Sequence, residues 1–363
     1  MSQQVPAQTE DSKNSPTYAQ QLQGMTIDGW LIGERVSKTD RDSGGIFSEA
    51  YFVTRDSDKA FLKAMDFQAV LRQSDGDLTA LQAWELMLGA FNFESRLHDR
   101  CKGMDRVVRS LAHGYIQVDS NNELSVVPYL IFELADHDVR THLKLNAVDV
   151  SWRLATAHHI ATGLRQLHGI GVVHQDVKPS NVLYFDARRG SKLGDLGSAA
   201  QQGVDHNLAH PFGGDWRYAP PDAWYGHRRS DFTEQHVSND FFLLGSMIVY
   251  MFTKVSMAPL ILEKHLQPEH RPTALGGQWD GTFADVLPYL EHAFAAAMLE
   301  FYSHLPEPNY AGFDYREELM TLVSSLCAVD PSKRGYPDGM GRRTLRLDRV
   351  QTNLDLLAKK TSK

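Results

Sequence analysis

Several features that define common protein classes are scarce in this chain. Its 363 residues include only two cysteines, which excludes a disulfide-stapled scaffold and predicts reduced, partly buried thiols at Cys101 and Cys327. The longest apolar runs, such as residues 241–252, are too short to cross a membrane, and residues 1–23 contain no apolar signal-peptide core. Lysine and arginine number 37 against 45 aspartates and glutamates, without a basic stripe, which argues against a nucleic-acid-binding surface. We therefore expect a cytoplasmic protein with no nucleic-acid or membrane partner.

What the chain does contain is typical of a globular protein. Hydrophobic residues make up 42% and charged residues 23% of the sequence, with a net charge of −8. The length suits one large two-lobed unit or two small domains. Residues 1–24 are polar, and we predict that they form a disordered tail. Residues 351–363 are predicted to be a second tail, with a disordered basic end at 359–363.

A polar run near the middle of the chain carries the chemistry of metal-dependent phosphoryl transfer. The run is His174-Gln175-Asp176-Val177-Lys178-Pro179-Ser180-Asn181, and Asp195-Leu196-Gly197 begins fourteen residues after its last member. Phosphoryl transfer needs a carboxylate at the attacking hydroxyl, a cation near the moving phosphoryl group and oxygen ligands for Mg²⁺. Asp176 can accept or orient the hydroxyl proton, and Lys178 can neutralise charge on the phosphoryl group. Asn181 and Asp195 can hold the metal.

This run resembles the catalytic loop H-R-D-x-K-x-x-N and the D-F-G motif of protein kinases, with Gln175 in place of the arginine and Leu196 in place of the phenylalanine. Lysine at position 178 is similar to the serine/threonine-type loop. The resemblance extends from about residue 30 to about residue 346. It implies an α+β, two-lobed protein-kinase-like fold, with a small antiparallel β-sheet N-lobe at 25–135 and a mainly helical C-lobe at 136–350.

The resemblance also implies nucleotide-binding residues in the N-lobe. Lys63 lies on a short apolar strand, 60–66, that looks like the V-A-I-K strand whose lysine reaches the α- and β-phosphates. Upstream, residues 43–51 occupy the place of the glycine-rich loop but match it only at Gly45, and a hairpin turn explains them equally well. A helix is predicted at 78–102 from its spacing of apolar residues. On it, Glu94 is the favoured partner of Lys63 and Glu85 is the alternative; this choice makes residues 68–77 a long connection.

A buried strand at 126–134 ends in a segment that looks like the hinge of the family. Backbone groups near Glu133 and Ala135 would hydrogen-bond adenine, with Phe132 at the gatekeeper position. Asp138 is placed to bind the ribose hydroxyls. A following helix, with Ser151 as its N-cap, is predicted to run to residue 168.

Three further segments follow the order of the family. Residues 214–222 resemble G-T-x-x-Y-x-A-P-E, residues 239–245 resemble the start of the αF helix, and residues 330–334 resemble D-P-x-x-R. The resemblance predicts that Asp240 ties the catalytic loop to the lobe and that Asp222 pairs with Arg334. The stretch 255–314 is longer than usual between these landmarks, so we expect an insertion with its own helix around 287–302.

Taken together, these residues imply a kinase that transfers the γ-phosphoryl group of ATP, with Mg²⁺ or Mn²⁺, to serine or threonine hydroxyls of a protein substrate. A pseudokinase or nucleotide-binding scaffold is the first alternative, and a small-molecule kinase on a related fold is the second. Because Gln175 cannot bind a phosphate bidentately as an arginine does, we expect no switch by phosphorylation of the activation segment. The alternative is that another basic residue, such as Arg217, receives a phosphate on Ser198. A regulatory partner or the level of expression would control activity instead. Autophosphorylation is expected on tail residues, namely Thr9, Ser12, Ser15 or Thr17.

Overall fold

The computed structural model describes residues 15–37, 48–74, 77–122, 125–204, 212–308 and 312–362. The chain separates into two compact units. The first unit is Met1–Gly103 with Arg109–Leu134, and the second is Met104–Val108 with Ala135–Lys363. The main antiparallel sheet lies in the first unit and most helices lie in the second, which confirms the predicted α+β class.

The first unit is built on a six-stranded antiparallel sheet. Its strands are β1 Thr26–Ile27, β2 Trp30–Arg35, β3 Ser48–Arg55, β4 Asp58–Met65, β5 Ser110–Gln117 and β6 Val126–Glu133. They lie in the order β1-β2-β3-β4-β6-β5. Alternation of buried and exposed positions explains the strands: on β3, for example, Tyr51 and Val53 are buried on one face while Phe52 between them is exposed.

Two helices follow β4 in this unit. Helix α1, Phe67–Gln73, begins at Asp66, whose carboxylate accepts the backbone N–H of Ala69. Helix α2, Ala80–Arg100, begins with a capping box between Thr79 and Gln82. The sequence predicted α2 within two residues at either end. It missed α1, because two turns of helix are too short to show a clear helical period.

The end of the predicted N-terminal tail is ordered, which corrects the expectation for its described part. Residues Tyr18–Gln21 form a 3₁₀ turn, and Ala19 and Leu22 are buried in the core of the sheet. The Thr17 hydroxyl donates to Asp66 at 2.6 Å, and the Ala19 carbonyl accepts from the Tyr51 hydroxyl at 2.7 Å. Two apolar side chains and these hydrogen bonds are enough to dock a short segment, but two apolar residues are too few to stand out in a polar sequence. Thr17 is buried, so it is not the exposed phosphorylation site that we expected.

The second unit surrounds one almost fully buried helix, Ser238–Thr253, which explains the long apolar run in the sequence. Its other helices are α3 Val139–Leu145, α4 Val150–His168, α5 Pro221–Trp224, α7 Met257–Pro259, α8 Phe283–Ser303, α9 Arg316–Leu326 and α10 Asp348–Thr361, and the buried helix itself is α6. Its short strands are β7 His137–Asp138, β8 Val172–Val173, β9 Val182–Tyr184, β10 Ser191–Leu193, β11 Ala200–Gln201, β12 Tyr336–Pro337 and β13 Arg343–Thr344. Helix α4 begins at Asp149, whose carboxylate accepts the N–H of Trp152, and not at Ser151 as predicted.

The predicted insertion contains α7, a π-helical stretch Leu260–His265, and α8. Helix α8 starts four residues earlier than predicted, because Thr282 and Asp285 form a capping box. Glu300 of α8 joins it to the π-helical stretch by accepting from Lys264 at 2.7 Å and from His265 at 2.8 Å. No single helix among the described residues is long and apolar enough to span a membrane, although the bent pair 233–253 and 257–265 passes by length and composition alone.

The predicted C-terminal tail is helix α10, which packs along α4. Its Val350, Leu354 and Leu357 are buried, and the Ser151 hydroxyl donates to the Ala358 carbonyl at 3.1 Å. The tail prediction was wrong because a strongly charged helix can still carry one continuous apolar stripe at three- and four-residue spacing.

Both cysteines are buried free thiols, as predicted. Burial raises the pKa of Cys101 to about 11, so this thiol stays protonated at neutral pH. Burial also raises the pKa of Cys327. Neither thiol has the reactivity of a nucleophilic cysteine.

Candidate active site

The Asp176 carboxylate lies buried in the loop between β8 and β9 and is held by three donors. Its Oδ1 accepts the backbone N–H of Asp215 at 2.9 Å. Its Oδ2 accepts Nδ2 of Asn181 at 2.8 Å and lies 2.9 Å from Nζ of Lys178. Burial raises the pKa of Asp176, and the Lys178 ammonium and the Asp215 N–H act against that rise. Asp176, Lys178 and Asn181 are therefore brought together as the sequence predicted.

The loop takes this form because Asp240, in the first turn of α6, fixes its backbone. The buried Asp240 carboxylate accepts the N–H of His174 at 2.9 Å and the N–H of Gln175 at 2.8 Å. His168, the last residue of α4, lies 2.8 Å from the same carboxylate. The pairing of Asp240 with the loop backbone is what the resemblance implied, and His168 adds a contact that the sequence did not suggest.

The side chain of Gln175 bonds to the start of α6 and to the residues just before it. Its φ angle is 63°, in the left-handed region that residues with side chains rarely adopt. Its Nε2 donates to the His236 carbonyl at 2.8 Å, and its Oε1 accepts from Nδ2 of Asn239 at 3.1 Å. The residue that replaces the usual arginine is therefore an internal brace between the loop and the start of α6.

Asn181 and Asp195 offer oxygen atoms that suit a hard cation. Nδ2 of Asn181 donates to the Asp176 carbonyl at 2.9 Å as well as to its carboxylate, which turns Oδ1 of Asn181 away from Asp176. Asp195 has a φ of 55° and accepts the Gly197 N–H at 3.3 Å. No group of three or more His, Cys, Asp or Glu side chains that could cage a metal occurs among the described residues. The residues fit Mg²⁺, which uses one or two protein oxygens and completes its shell with phosphates and water.

In the first unit, Lys63 on β4 pairs with Glu94 of α2. Its Nζ lies 2.9 Å and 3.0 Å from the two carboxylate oxygens. Glu94 lies on the buried side of α2 with Met87 and Phe91, whereas the alternative, Glu85, is exposed. The helical period therefore decides which of the two glutamates meets the lysine.

Two of the residues predicted to bind the nucleotide at the hinge already have hydrogen-bond partners within the protein. The backbone N–H of Glu133 donates to the Arg109 carbonyl at 3.1 Å, so this N–H is not available to adenine. Asp138 is the N-cap of α3, where its Oδ1 accepts the Thr141 N–H at 2.6 Å. The rings of Phe132 and His98 pack edge to face, with their centroids 4.8 Å apart. Gly45, proposed for the phosphate loop, lies outside the described residues.

Helix α5 is anchored in the second unit by a buried ion pair of its Asp222. Nη2 of Arg334 lies 2.6 Å from Oδ1 of Asp222, and both side chains are almost fully buried.

The model of the protein kinase domain matches residues 106–337, which is more than half of the chain. The chain belongs to the protein kinase family.

Individual kinases resemble the chain more weakly. It is 23% identical over 333 residues to a probable serine/threonine-protein kinase of Arabidopsis thaliana, covering 88% of this chain and 42% of that protein. A probable serine/threonine-protein kinase of Dictyostelium discoideum is 24% identical over 209 residues, which cover 57% of this chain and 18% of that protein. A dual serine/threonine and tyrosine protein kinase of Strongylocentrotus purpuratus is 36% identical over 97 residues, covering 26% and 10%. The chain thus spans less than half the length of these curated relatives.

Sequence reasoning did not place Asp215 or Arg217 at this site. The Asp215 carboxylate lies 3.4 Å from Nζ of Lys178 and accepts Nε and Nη2 of Arg217 at 3.0 Å and 2.8 Å. The available signal was an aspartate at the threonine position of the G-T-x-x-Y pattern. Gly214 is required next to it, because a Cβ there would lie 2.1 Å from the Gln175 carbonyl oxygen.

Proposed function

We propose that this chain is an ATP-dependent protein kinase that phosphorylates serine or threonine hydroxyls of protein substrates. The observation that carries the proposal is the buried Asp176 carboxylate, held by Lys178, Asn181 and the Asp215 N–H. A carboxylate held by several donors is oriented before the substrate arrives, and orientation supplies much of the rate in phosphoryl transfer.

Each side chain has a distinct task in this proposal. Asp176 accepts or orients the proton of the attacking hydroxyl, because its raised pKa makes it a better proton acceptor than an exposed aspartate. Lys178 neutralises charge on the phosphoryl group as it moves. In the first unit, Lys63, oriented by Glu94, contacts the phosphates of ATP.

Nucleotide and metal binding complete the proposal. Asn181 and Asp195 hold Mg²⁺ or Mn²⁺ through their side-chain oxygens. The bound cation supplies electrostatic stabilisation of the phosphate charges. Because the Glu133 N–H is occupied, the N–H of Ala135 is the candidate donor to adenine, and Asp138 can reach a ribose only with the carboxylate that also caps α3.

The deciding experiment compares the parent protein with Asp176→Asn. Transfer from labelled ATP to a generic protein substrate should fall by about 10²- to 10⁴-fold, because an amide cannot accept the proton. The rise in melting temperature with Mg²⁺ and ATP should persist. Asp280→Asn, at an exposed aspartate in the same unit, is the matched control and should transfer at the parental rate.

Two other outcomes identify the alternatives. A parent protein whose melting temperature rises with ATP, but which transfers nothing, would be a nucleotide-binding scaffold. Transfer to a small hydroxyl compound but not to protein substrates would indicate a small-molecule kinase. Near-parental transfer by Asp176→Asn would refute the assignment of the carboxylate.

A further inference from the structure

Lys178 lies between two carboxylates. Its Nζ lies 2.9 Å from Oδ2 of Asp176 and 3.4 Å from Oδ2 of Asp215, and only 2% of the side chain is exposed. A buried ammonium needs anionic partners because water cannot solvate it. One carboxylate would satisfy this need, so the second carboxylate requires another explanation.

The geometry of an ammonium group provides one. The group has three N–H donors arranged around the Cε–Nζ bond. With a single partner, the ammonium can rotate and shift around that partner. With two partners on different segments, two donors are committed and the direction of the third is fixed. No third partner of Lys178 is present in the part of the chain that the structure describes.

Arg217 keeps Asp215 charged and in place. Its guanidinium donates Nε to Oδ1 and Nη2 to Oδ2 of Asp215, and its backbone N–H donates to Oδ1 at 3.1 Å. Burial alone would raise the pKa of Asp215, but the hydrogen bonds from Arg217 and the charge of Lys178 outweigh it and leave the pKa below its ordinary value. Asp215 is therefore an anion at neutral pH.

We propose that Asp215 is a positioning residue of the transfer reaction, which holds Lys178 by a second ionic anchor so that its remaining N–H is directed at the moving phosphoryl group. The inference rests on the proposed kinase function. It assigns a role to the charge of Asp215, since its backbone N–H already serves Asp176 whatever the side chain. A neutral hydroxyl at this position would make a weaker bond to Lys178, because bonds between ionised partners are about twice as strong as neutral ones.

The test is the kinetics of Asp215→Asn, which keeps the shape and the backbone N–H but removes the charge. We expect kcat to fall by about 10- to 100-fold, because a misdirected group costs rate in the transition state. The KM for ATP should stay within about twofold, since ground-state binding does not use this bond. Asp215→Glu should recover part of the lost kcat, whereas a purely structural defect would not be rescued by charge.

A second comparison shows whether Asp215 acts through Lys178. In a Lys178→Met background, Asp215→Asn should change kcat by less than about twofold, because residues that act as a unit are not additive. Arg217→Gln provides a variant that should fold readily, since 61% of the Arg217 side chain is exposed. It should lower kcat severalfold by loosening Asp215.

Parental kcat in Asp215→Asn, or an equal loss in the Lys178→Met background, would overturn the proposal. Absence of transfer by the parent protein would instead refute the kinase function. In that case the ionic anchor is tested by urea unfolding of the Lys178 and Asp215 single and double variants. Additive effects on unfolding would then refute the anchor itself.

Discussion

Removal of Arg334 is expected to destabilise the second unit strongly, because its buried side chain bonds to three segments of that unit. Its Nη2 meets Asp222 at 2.6 Å, its Nη1 donates to the carbonyl and hydroxyl of Ser238, and its Nε donates to the Ala328 carbonyl. The guanidinium also lies 5.3 Å from the ring of Phe242. One side chain thus joins α5, α6 and the segment after α9.

The two partners of this pair should not be equivalent. Arg334→Met leaves Asp222 as a buried, uncompensated charge, which costs roughly 3–5 kcal/mol. Asp222→Asn leaves Arg334 with its other acceptors and retains an amide oxygen at the same place. The free energy of unfolding should therefore fall by only about 1–3 kcal/mol. For a unit of this size, the first change should lower the melting temperature by roughly 10 °C.

The assay is a double-mutant cycle on melting temperature and on urea unfolding. The loss of unfolding free energy in the double variant should be smaller than the sum of the losses in the two single variants. The reason is that the double variant leaves neither Asp222 nor Arg334 as an unpaired charge. Lys333→Met is the control: it is adjacent in sequence, but its ion pair with Glu291 is exposed and should change the melting temperature little. Additive effects of Asp222 and Arg334, or equal costs for both, would refute the reasoning.

Three further predictions concern the nucleotide and regulation. Asp195→Ala should lose the magnesium-dependent part of the rise in melting temperature with ATP, measured by thermal shift. Glu94→Gln should lower the transfer rate by leaving Lys63 unoriented, while Glu85→Gln on the exposed side of the same helix should not, as a transfer assay will show. Phosphatase-treated protein should transfer without a lag, because Gln175 is committed to α6 and Ser198 is the only hydroxyl residue between 197 and 217.

Each of these predictions has a clear contrary result. Equal magnesium-dependent shifts in the parent and Asp195→Ala would exclude Asp195 as a metal ligand. A loss of transfer with Glu85→Gln would mean that the helix rotates in the active state. A lag removed by prior autophosphorylation and absent in Ser198→Ala would show that the segment is switched after all.

The sequence was most informative where a short run of residues matches the spacing of a protein-kinase motif. The catalytic loop, the lysine strand and the buried arginine after α9 could each be recognised because a short run of residues carries the whole arrangement. The choice of Glu94 over Glu85 rested on its distance of about ten residues from 104–108, which resembles the link from this helix to the next strand in the family. The structure places Glu94 on the buried face of α2, where it accepts Nζ of Lys63.

What could not be predicted depends on contacts between distant segments. Asp215 reads as one more polar residue of a loop, and its role emerges only when folding brings it to Lys178, 37 positions away. The ordered end of the N-terminal segment depends on a surface offered by the sheet. Asp149 and Ser151 are both good helix caps, so the sequence could not decide between them.

Helix α10 sets a practical boundary for handling this protein. The match to the protein kinase domain ends at residue 337, yet the side of α4 is covered by a helix that begins at Asp348. A fragment cut at 337 would expose the surface under Val350, Leu354 and Leu357, each worth about 1.5–3 kcal/mol when buried. That loss is comparable with the entire free energy of unfolding of a typical domain. Expression fragments should therefore keep the chain through residue 362, and a fusion partner is best joined beyond that point.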